Sequence, residues 1–404
     1  MMNHEPTTSP QRPLGAVLVR RSLIALVLVG LMLAPSVVLF VITRQPAATY
    51  ASIGALIGIL AVAAGGVGIG IRVAVVASLV APLAIVAGLS PVTGAALMVL
   101  MTLVVGRLAM VGLHRATMLV PILMTWPMLT PTPWIPSGFE DAVQTEMTTS
   151  GLTITDAVAK AEAGTTTIPG TSRLAGALIQ QRMDSSYLAW VAAFFFIGGI
   201  VAVVVMAFAV RRVTLPAPEP HSRSEVIPYT ISITVLAAAA TYYFLDNPKV
   251  VGGSSLIATI LVLTQVGNNF NWKLAVHRLV GTLGGVLVLA AVIRVVGPAS
   301  YTLVLGVPMP VSIYAVGLVL GVLAVTAKFS PRQWIYFALI TPAAAMLNAF
   351  TTAEASDFGD QRLVDNVVGV ALVLTAAVVT LIASRVLSSR TPEDDSLSPA
   401  LAPG

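Results

Sequence analysis

No cysteine occurs among the 404 residues, which excludes a disulfide framework, an iron–sulfur centre and a thiolate-held zinc, and leaves the redox compartment unread. Charge is scarce as well. Only 10% of residues are Asp, Glu, Lys or Arg, and the four histidines, His4, His114, His221 and His277, have no metal-ligand spacing, so neither a metal nor another cofactor is expected. No Walker loop, HExxH sequence, nucleophile elbow or pair of carboxylates within an apolar stretch is present. ATP-driven work and enzymatic catalysis are therefore not expected.

What fills the chain is apolar side chains, 57% of the residues, with a mean hydropathy of +0.92. That is more apolar surface than a soluble chain of this length buries, so the sequence predicts an all-α integral membrane protein. A hydrocarbon layer of about 30 Å and a helical rise of about 1.5 Å per residue require roughly 20 apolar residues per crossing. About 12 transmembrane helices fit, at 22–42, 49–66, 67–89, 91–112, 115–131, 187–210, 227–245, 250–267, 275–296, 302–326, 333–350 and 364–386. The second and third are joined by Gly65-Gly66-Val67-Gly68-Ile69-Gly70 with almost no polar residue between them, so eleven is the alternative count.

The pI of 9.7 does not indicate a nucleic-acid partner, because the basic residues follow the membrane topology. With both termini inside, 15 of the 22 Lys and Arg fall on the inner face, among them Arg20, Arg107, Arg115, Arg211, Lys328 and Arg385. Basic residues counted in this way set orientation, which predicts a multi-pass protein of the plasma (inner) membrane with cytoplasmic termini. The run after residues 1–21 is about a full span long and lacks a small-residue cleavage site, so it reads as a retained first helix rather than a signal peptide.

The Pro-rich stretch Arg211-Arg212-Val213-Thr214-Leu215-Pro216-Ala217-Pro218-Glu219-Pro220 divides two blocks of six spans. The expected organisation is a cytoplasmic segment 1–21, a first half 22–212 with an external loop 131–186, a linker 213–226, a second half 227–387 and a disordered cytoplasmic tail 388–404. Six is even, so both halves enter the membrane in the same direction, as two parallel six-helix repeats. Ser52-Ile53-Gly54-Ala55-Leu56-Ile57 echoes Ser255-Leu256-Ile257-Ala258-Thr259-Ile260, and Gln181-Arg182 echoes Gln361-Arg362. The external loop contains a helix-like run near 155–163 and reads as a partly ordered cap or as a spacer.

Arg278, Gly281, Thr282 and Gly285 recur at i, i+3, i+4 and i+7, on one face of the ninth span. The glycine pair admits a neighbouring helix and Thr282 offers a hydrogen bond across that contact. Arg278 stands near a helix N-terminus, where a cation is disfavoured unless an anion sits beside it. It reads either as a site for an anionic group or as a side chain that snorkels to headgroups. Trp272 and Trp334 fit interfacial anchors or partners for an aromatic ring. Asp365, three residues after Arg362, reads as a helix cap or a proton carrier, and with Arg362 and His277 forms the candidate coupling or gating set.

The opening Arg278-Leu279-Val280-Gly281-Thr282-Leu283-Gly284-Gly285, the run Trp334-Ile335-Tyr336-Phe337-Ala338-Leu339-Ile340-Thr341-Pro342 and the opening Arg362-Leu363-Val364-Asp365-Asn366-Val367-Val368-Gly369 together resemble the fusaric acid resistance protein family, which includes the aromatic acid exporters. The resemblance covers residues 250–385. It implies two sets of membrane helices and export of small aromatic or hydrophobic carboxylic acids, with Arg278 on the carboxylate, Thr282 donating a hydrogen bond and Trp272 or Trp334 beside the ring. The expected partners are thus a small organic anion and the lipid bilayer, with a homo-oligomer or an adaptor protein left open. A non-transporting scaffold for envelope proteins and a channel-like anion pathway are the competing readings.

Overall fold

The computed structural model describes residues 14–162, 171–212, 217–248, 253–267, 270–296, 301–328, 330, 332–349 and 351–388. The calls on residues 1–13, on 213–216 of the linker and on the tail from 389 lie outside them.

The first half contains α1 (Leu14–Thr43), α2 (Tyr50–Gly65), α3 (Val67–Ala87), α4 (Pro91–Ala109), the single turn α5 (His114–Thr117) and α6 (Leu119–Leu129). After the segment over 131–184, with α7 (Phe139–Ser150), α8 (Ile154–Glu162) and α9 (Thr171–Gln181), it closes with α10 (Ser185–Ala209). The second half contains α11 (Arg223–Asp246), α12 (Gly253–Leu263), α13 (Trp272–Val296), the strands β1 (Tyr301–Val304) and β2 (Val307–Pro310), α14 (Val311–Lys328), α15 (Gln333–Asn348) and α16 (Thr352–Ser388).

Among the described residues nine helices are long and apolar enough to cross a membrane: α1, α2 with the turn before it, α3, α4, α10, α11, α13, α14 and α16. The protein is a multi-pass α-helical membrane protein. The helices α6, α12 and α15, of 11, 11 and 16 residues, are shorter. At about 1.5 Å per residue α12 covers roughly half of a hydrocarbon layer before the chain leaves helical geometry at Thr264-Gln265-Val266-Gly267.

Large apolar side chains such as Leu79, Val92, Leu287 and Val319 point outward, while alanine, glycine and threonine line the helix contacts. With lipid on the outside, close backbone approach rather than hydrophobic burial holds such helices together. The clearest instance is α10 against α2, where a Cβ added to Gly198 would meet the carbonyl of Ala51 and one added to Gly54 the carbonyl of Phe195. The halves are not separate bundles. The first helix of each packs on the fourth of the other, α1 on α14 and α11 on α4.

Outside the bundle, an extended strap over 131–136 is held by side chains from three directions. Gln45 accepts from the Ile135 N–H at 2.7 Å and donates to its carbonyl at 3.2 Å, while Gln181 does the same for Trp134 at 2.9 and 2.6 Å. Tyr50 Oη accepts from the Thr132 N–H and Tyr187 Oη donates to its carbonyl. The strap leads into α7, whose Phe139, Val143 and Met147 form a small core with Ile135, Ala157 and Leu305.

The chain over 302–326 reads as one span in the sequence, but its first part is the β1–β2 hairpin. Val304 pairs with Val307 across a two-residue turn at Leu305 and Gly306, both with positive φ. Pro308 and Pro310 lack the N–H groups a helix uses, and α14 starts directly after them. The last helix, read at 364–386, instead begins at Thr352, and its extension carries Glu354, Asp357 and Asp360.

Candidate anion site

The helix α13 is opened by Asn271, whose Oδ1 accepts from the Leu274 N–H at 3.0 Å. From that start, Arg278, Gly281, Thr282 and Gly285 fall on one buried face. A Cβ at Gly281 would meet Phe337 Cβ and the Trp334 carbonyl at 2.5 Å, and one at Gly285 would meet Thr341 Cβ at 2.7 Å. The two glycines thus seat α15 against α13. This places the Phe337 ring under Arg278, with the guanidinium carbon 5.4 Å from the ring centroid.

Asn366 on α16 faces the same spot. Its Oδ1 accepts from Arg278 Nε at 2.6 Å and from Thr259 Oγ1 of α12 at 2.7 Å; its Nδ2 donates to Thr282 Oγ1 at 3.0 Å and to the Arg362 carbonyl at 2.9 Å. The amide's two lone pairs and two protons are all used, so one side chain ties α12, α13 and α16 together. The Thr259 proton is shared, because Thr259 Oγ1 also lies 2.7 Å from the Ser255 carbonyl.

Arg278 is only 7% exposed, yet among the described residues it has no carboxylate within 4 Å; the ion pair found there is His221 with Glu225 at 3.9 Å, far from this site in the chain. A charge within a membrane segment is costly, about 2.5–3.5 kcal/mol for Arg at mid-helix on insertion scales, and normally marks a functional pathway. Among the described residues Nε is the guanidinium nitrogen with a protein acceptor; the four Nη protons make no hydrogen bond there, and the side chain keeps 7% of its exposure. Asp365 is 2% exposed, with Oδ1 accepting from Gln361 Nε2 at 2.9 Å and Oδ2 buried without a partner.

The structure brings Arg278, Thr282, Gly281 and Gly285 together, with Arg362 one turn before Asn366 and Asp365 immediately before it on α16. It does not bring the tryptophans in. Trp272 is 67% exposed and the indole of Trp334 40% exposed, both on the outer surface of the bundle. His277 is half-buried and takes no part in the hydrogen bonds around Arg278. Sequence reasoning passed over Asn366, Thr259 and the ring of Phe337, although Asn366 and Phe337 lie inside the quoted motifs. The signal that was there is a polar amide in an otherwise apolar span. Two open clefts lie on α7 and the turn after it, away from Arg278, lined by residues such as Thr145 and Glu146 or Gln144 and Thr148.

A buried guanidinium held by a neutral amide at the meeting of three membrane helices defines a polytopic membrane protein with an intramembrane cationic site. Residues 255–376, from α12 into α16, match the family model described as fusaric acid resistance protein-like. That stretch contains Thr259, Arg278, Thr282, Phe337 and Asn366. No curated protein and no solved structure matches the chain.

Proposed function

We propose that the protein is a secondary transporter that exports small aromatic or hydrophobic carboxylic acids by alternating access between two six-helix halves. The observation that carries this reading is Arg278: buried, without a carboxylate, and with its Nη protons free to bind an anion. The family match over residues 255–376 supports transport. Counting α6, α12 and α15 with the nine longer helices gives twelve crossings. The reciprocal packing of α1 on α14 and α11 on α4, with α10 on α2 and α3 echoed by α16 on α12 and α13, supports parallel repeats.

The halves are not equivalent. In the first, glycines close α2 on α10, whereas in the second Thr259 and Asn366 put a polar contact at the corresponding α12–α16 crossing. The site therefore belongs to the second half. Cargo reaches Arg278 from the cytoplasm when α16 withdraws Asn366, and Thr282, released from Asn366 Nδ2, then donates to the carboxylate. Asp365, Arg362 and His277 remain the coupling or gating set, and Trp272 and Trp334 anchor the helices or meet an aromatic ring at the entrance.

A carboxylic acid with a pKa of about 4 is anionic in a cytoplasm with both protein termini. An inside-negative potential favours its exit by about 2.3 kcal/mol per charge per 100 mV. The test is efflux of a panel of aromatic acids from proteoliposomes. Loss of a charged hydrogen bond of about 1.5–3 kcal/mol means that Arg278→Ala lowers export roughly 10- to 100-fold. Export unchanged in a well-folded Arg278→Ala protein removes Arg278 from the mechanism.

A further inference from the structure

The positive charge gathered beside Phe337 exceeds what one carboxylate balances. Lys328, the last residue of α14, holds Nζ 4.7 Å from the Tyr336 ring centroid, and the Tyr336 and Phe337 rings are 5.1 Å apart. Arg278 lies over the second of those rings. Lys328 and Arg362 are both near enough for their charges to act on, or be acted on by, Arg278, and Arg362 is within the same reach of Tyr336. Three helices, α13, α14 and α16, thus bring three cations around one Tyr–Phe pair.

Among the described residues none of the three has a carboxylate within 4 Å. Asp365, the acid nearest Arg362, gives one oxygen to Gln361 and leaves the other without a partner. Even when ionised, it offsets one of three charges. Tyr336 and Phe337 already offer their faces to Lys328 and Arg278, so the side of each cation away from its ring is the one left for an anion. A single carboxylate on Arg278 leaves Lys328 and Arg362 without a counter-charge, and between Arg278 and Arg362, which are less open to solvent than Lys328, repulsion between like charges is the less screened.

Resting on the reading of Arg278 as the cargo contact, we propose that the site selects a small dianion with two separated carboxylates, one on Arg278 and the other reaching Lys328 or Arg362. Lys328 is exposed and Arg278 buried, so the second carboxylate is the first to be met and the last to leave. Charge number, rather than stacking on a protein ring, is what the site reads.

The experiment keeps the ring constant and changes the charge. Full-length protein, purified and reconstituted in zwitterionic lipid, is titrated with benzoate, with the benzene dicarboxylates in their three spacings, and with phenyl phosphate, and each is followed by thermal shift and by efflux. At least one dicarboxylate is expected to bind about tenfold or more tightly than benzoate. Lys328→Gln is expected to bring that ratio close to one, with the ligand-free melting temperature reporting on folding. Equal binding of benzoate and every dicarboxylate overturns the dianion assignment and leaves the export reading standing, as does an equal loss of both ligands in Lys328→Gln. Preference for phenyl phosphate over all dicarboxylates overturns the two-carboxylate assignment in favour of a phosphate monoester. If none of the probes binds and Arg278→Gln changes nothing, both the proposal and the reading beneath it fail.

Discussion

Arg278 Nε lies 2.6 Å from Asn366 Oδ1, so a membrane-embedded cation on α13 is held by a neutral amide on α16. An aspartate at that place would neutralise the guanidinium; the amide positions it and leaves its charge to be met by something else. Asn366→Asp is therefore expected to lower anion export at least tenfold, because a permanent partner occupies the cation, while its stability changes little, the new ion pair offsetting the loss of the two Nδ2 hydrogen bonds. Asn366→Ala is expected to lose three contacts between helices, to Arg278, Thr259 and Thr282. At about 0.6 kcal/mol for an average polar contact in a membrane, that is a loss of roughly 2 kcal/mol. Unfolding in mixed detergent together with efflux from vesicles separates the two variants, and equal behaviour in both assays sinks the distinction.

Much of this arrangement was legible in the sequence, and the part that was not has a physical reason. Arg278, Gly281, Thr282 and Gly285 share a helical face because their spacing is local. Asn366 meets its partners across 84 to 107 positions of chain, and no local periodicity carries that information. Similar words were also put to different uses. Gln181 and Gln361 echo one another in sequence, yet Gln181 reads the Trp134 backbone and Gln361 donates to Asp365. Hydropathy averaged over 302–326 hid the hairpin, whose evidence was three small cues: Gly306, Pro308 and Pro310.

Gly281 tests how α15 is seated. An added methyl would run into Phe337 Cβ and into the Trp334 carbonyl, and a backbone atom cannot rotate away. Gly281→Ala is expected to cost about 1–3 kcal/mol, the usual range for overpacking, and to shift Phe337 from beneath Arg278. Gly284, on the same helix, has only Ala338 Cβ at 3.8 Å, so Gly284→Ala is expected to be close to neutral. Thermal unfolding of the two variants side by side decides whether the close approach is real.

Where α4 ends and α11 begins, the linker docks on His114. The His221 N–H donates to the Ala109 carbonyl at 3.4 Å, the His114 and His221 rings are 5.1 Å apart, and Tyr229 of α11 stands edge-on to His114. Burial, then the charges of His221 and Arg115, lower the His114 pKa to about 4. The freed imidazole, near 6.5, binds more protons than the docked one between those values. Docking is therefore favoured above pH 6.5 and weakens as pH falls towards 4. Glu225 of α11 faces the linker here, with Oε2 3.9 Å from His221 Nδ1. Protection of the amides over 217–222, taken as the exchange rate relative to the free-chain rate at the same pH, is expected to fall from pH 7 to pH 5, and less so in His114→Asn; a protection that stays flat in the unsubstituted protein excludes the effect.

Asp365 is the remaining titratable group in the membrane next to the site. Its Oδ1 is occupied by Gln361, and its Oδ2 has no partner, nor has Ser255 Oγ on the facing helix α12. Oδ2, which the Leu256 backbone of α12 approaches without completing a well-formed hydrogen bond, is where a proton is gained or lost at least cost, and Asn366, the next residue, is the one that grips Arg278. Asp365→Asn retains the acceptor that Gln361 uses, so the fold is expected to survive. What should vanish is any acceleration of export by an imposed pH gradient, while the response to membrane potential persists, since the latter acts on the charge of the cargo. Vesicles holding the Asp365→Asn protein and given each gradient separately measure both responses. A pH response equal to that of the unsubstituted protein would show that Asp365 is a packing contact between α16 and α12 and carries no proton for transport.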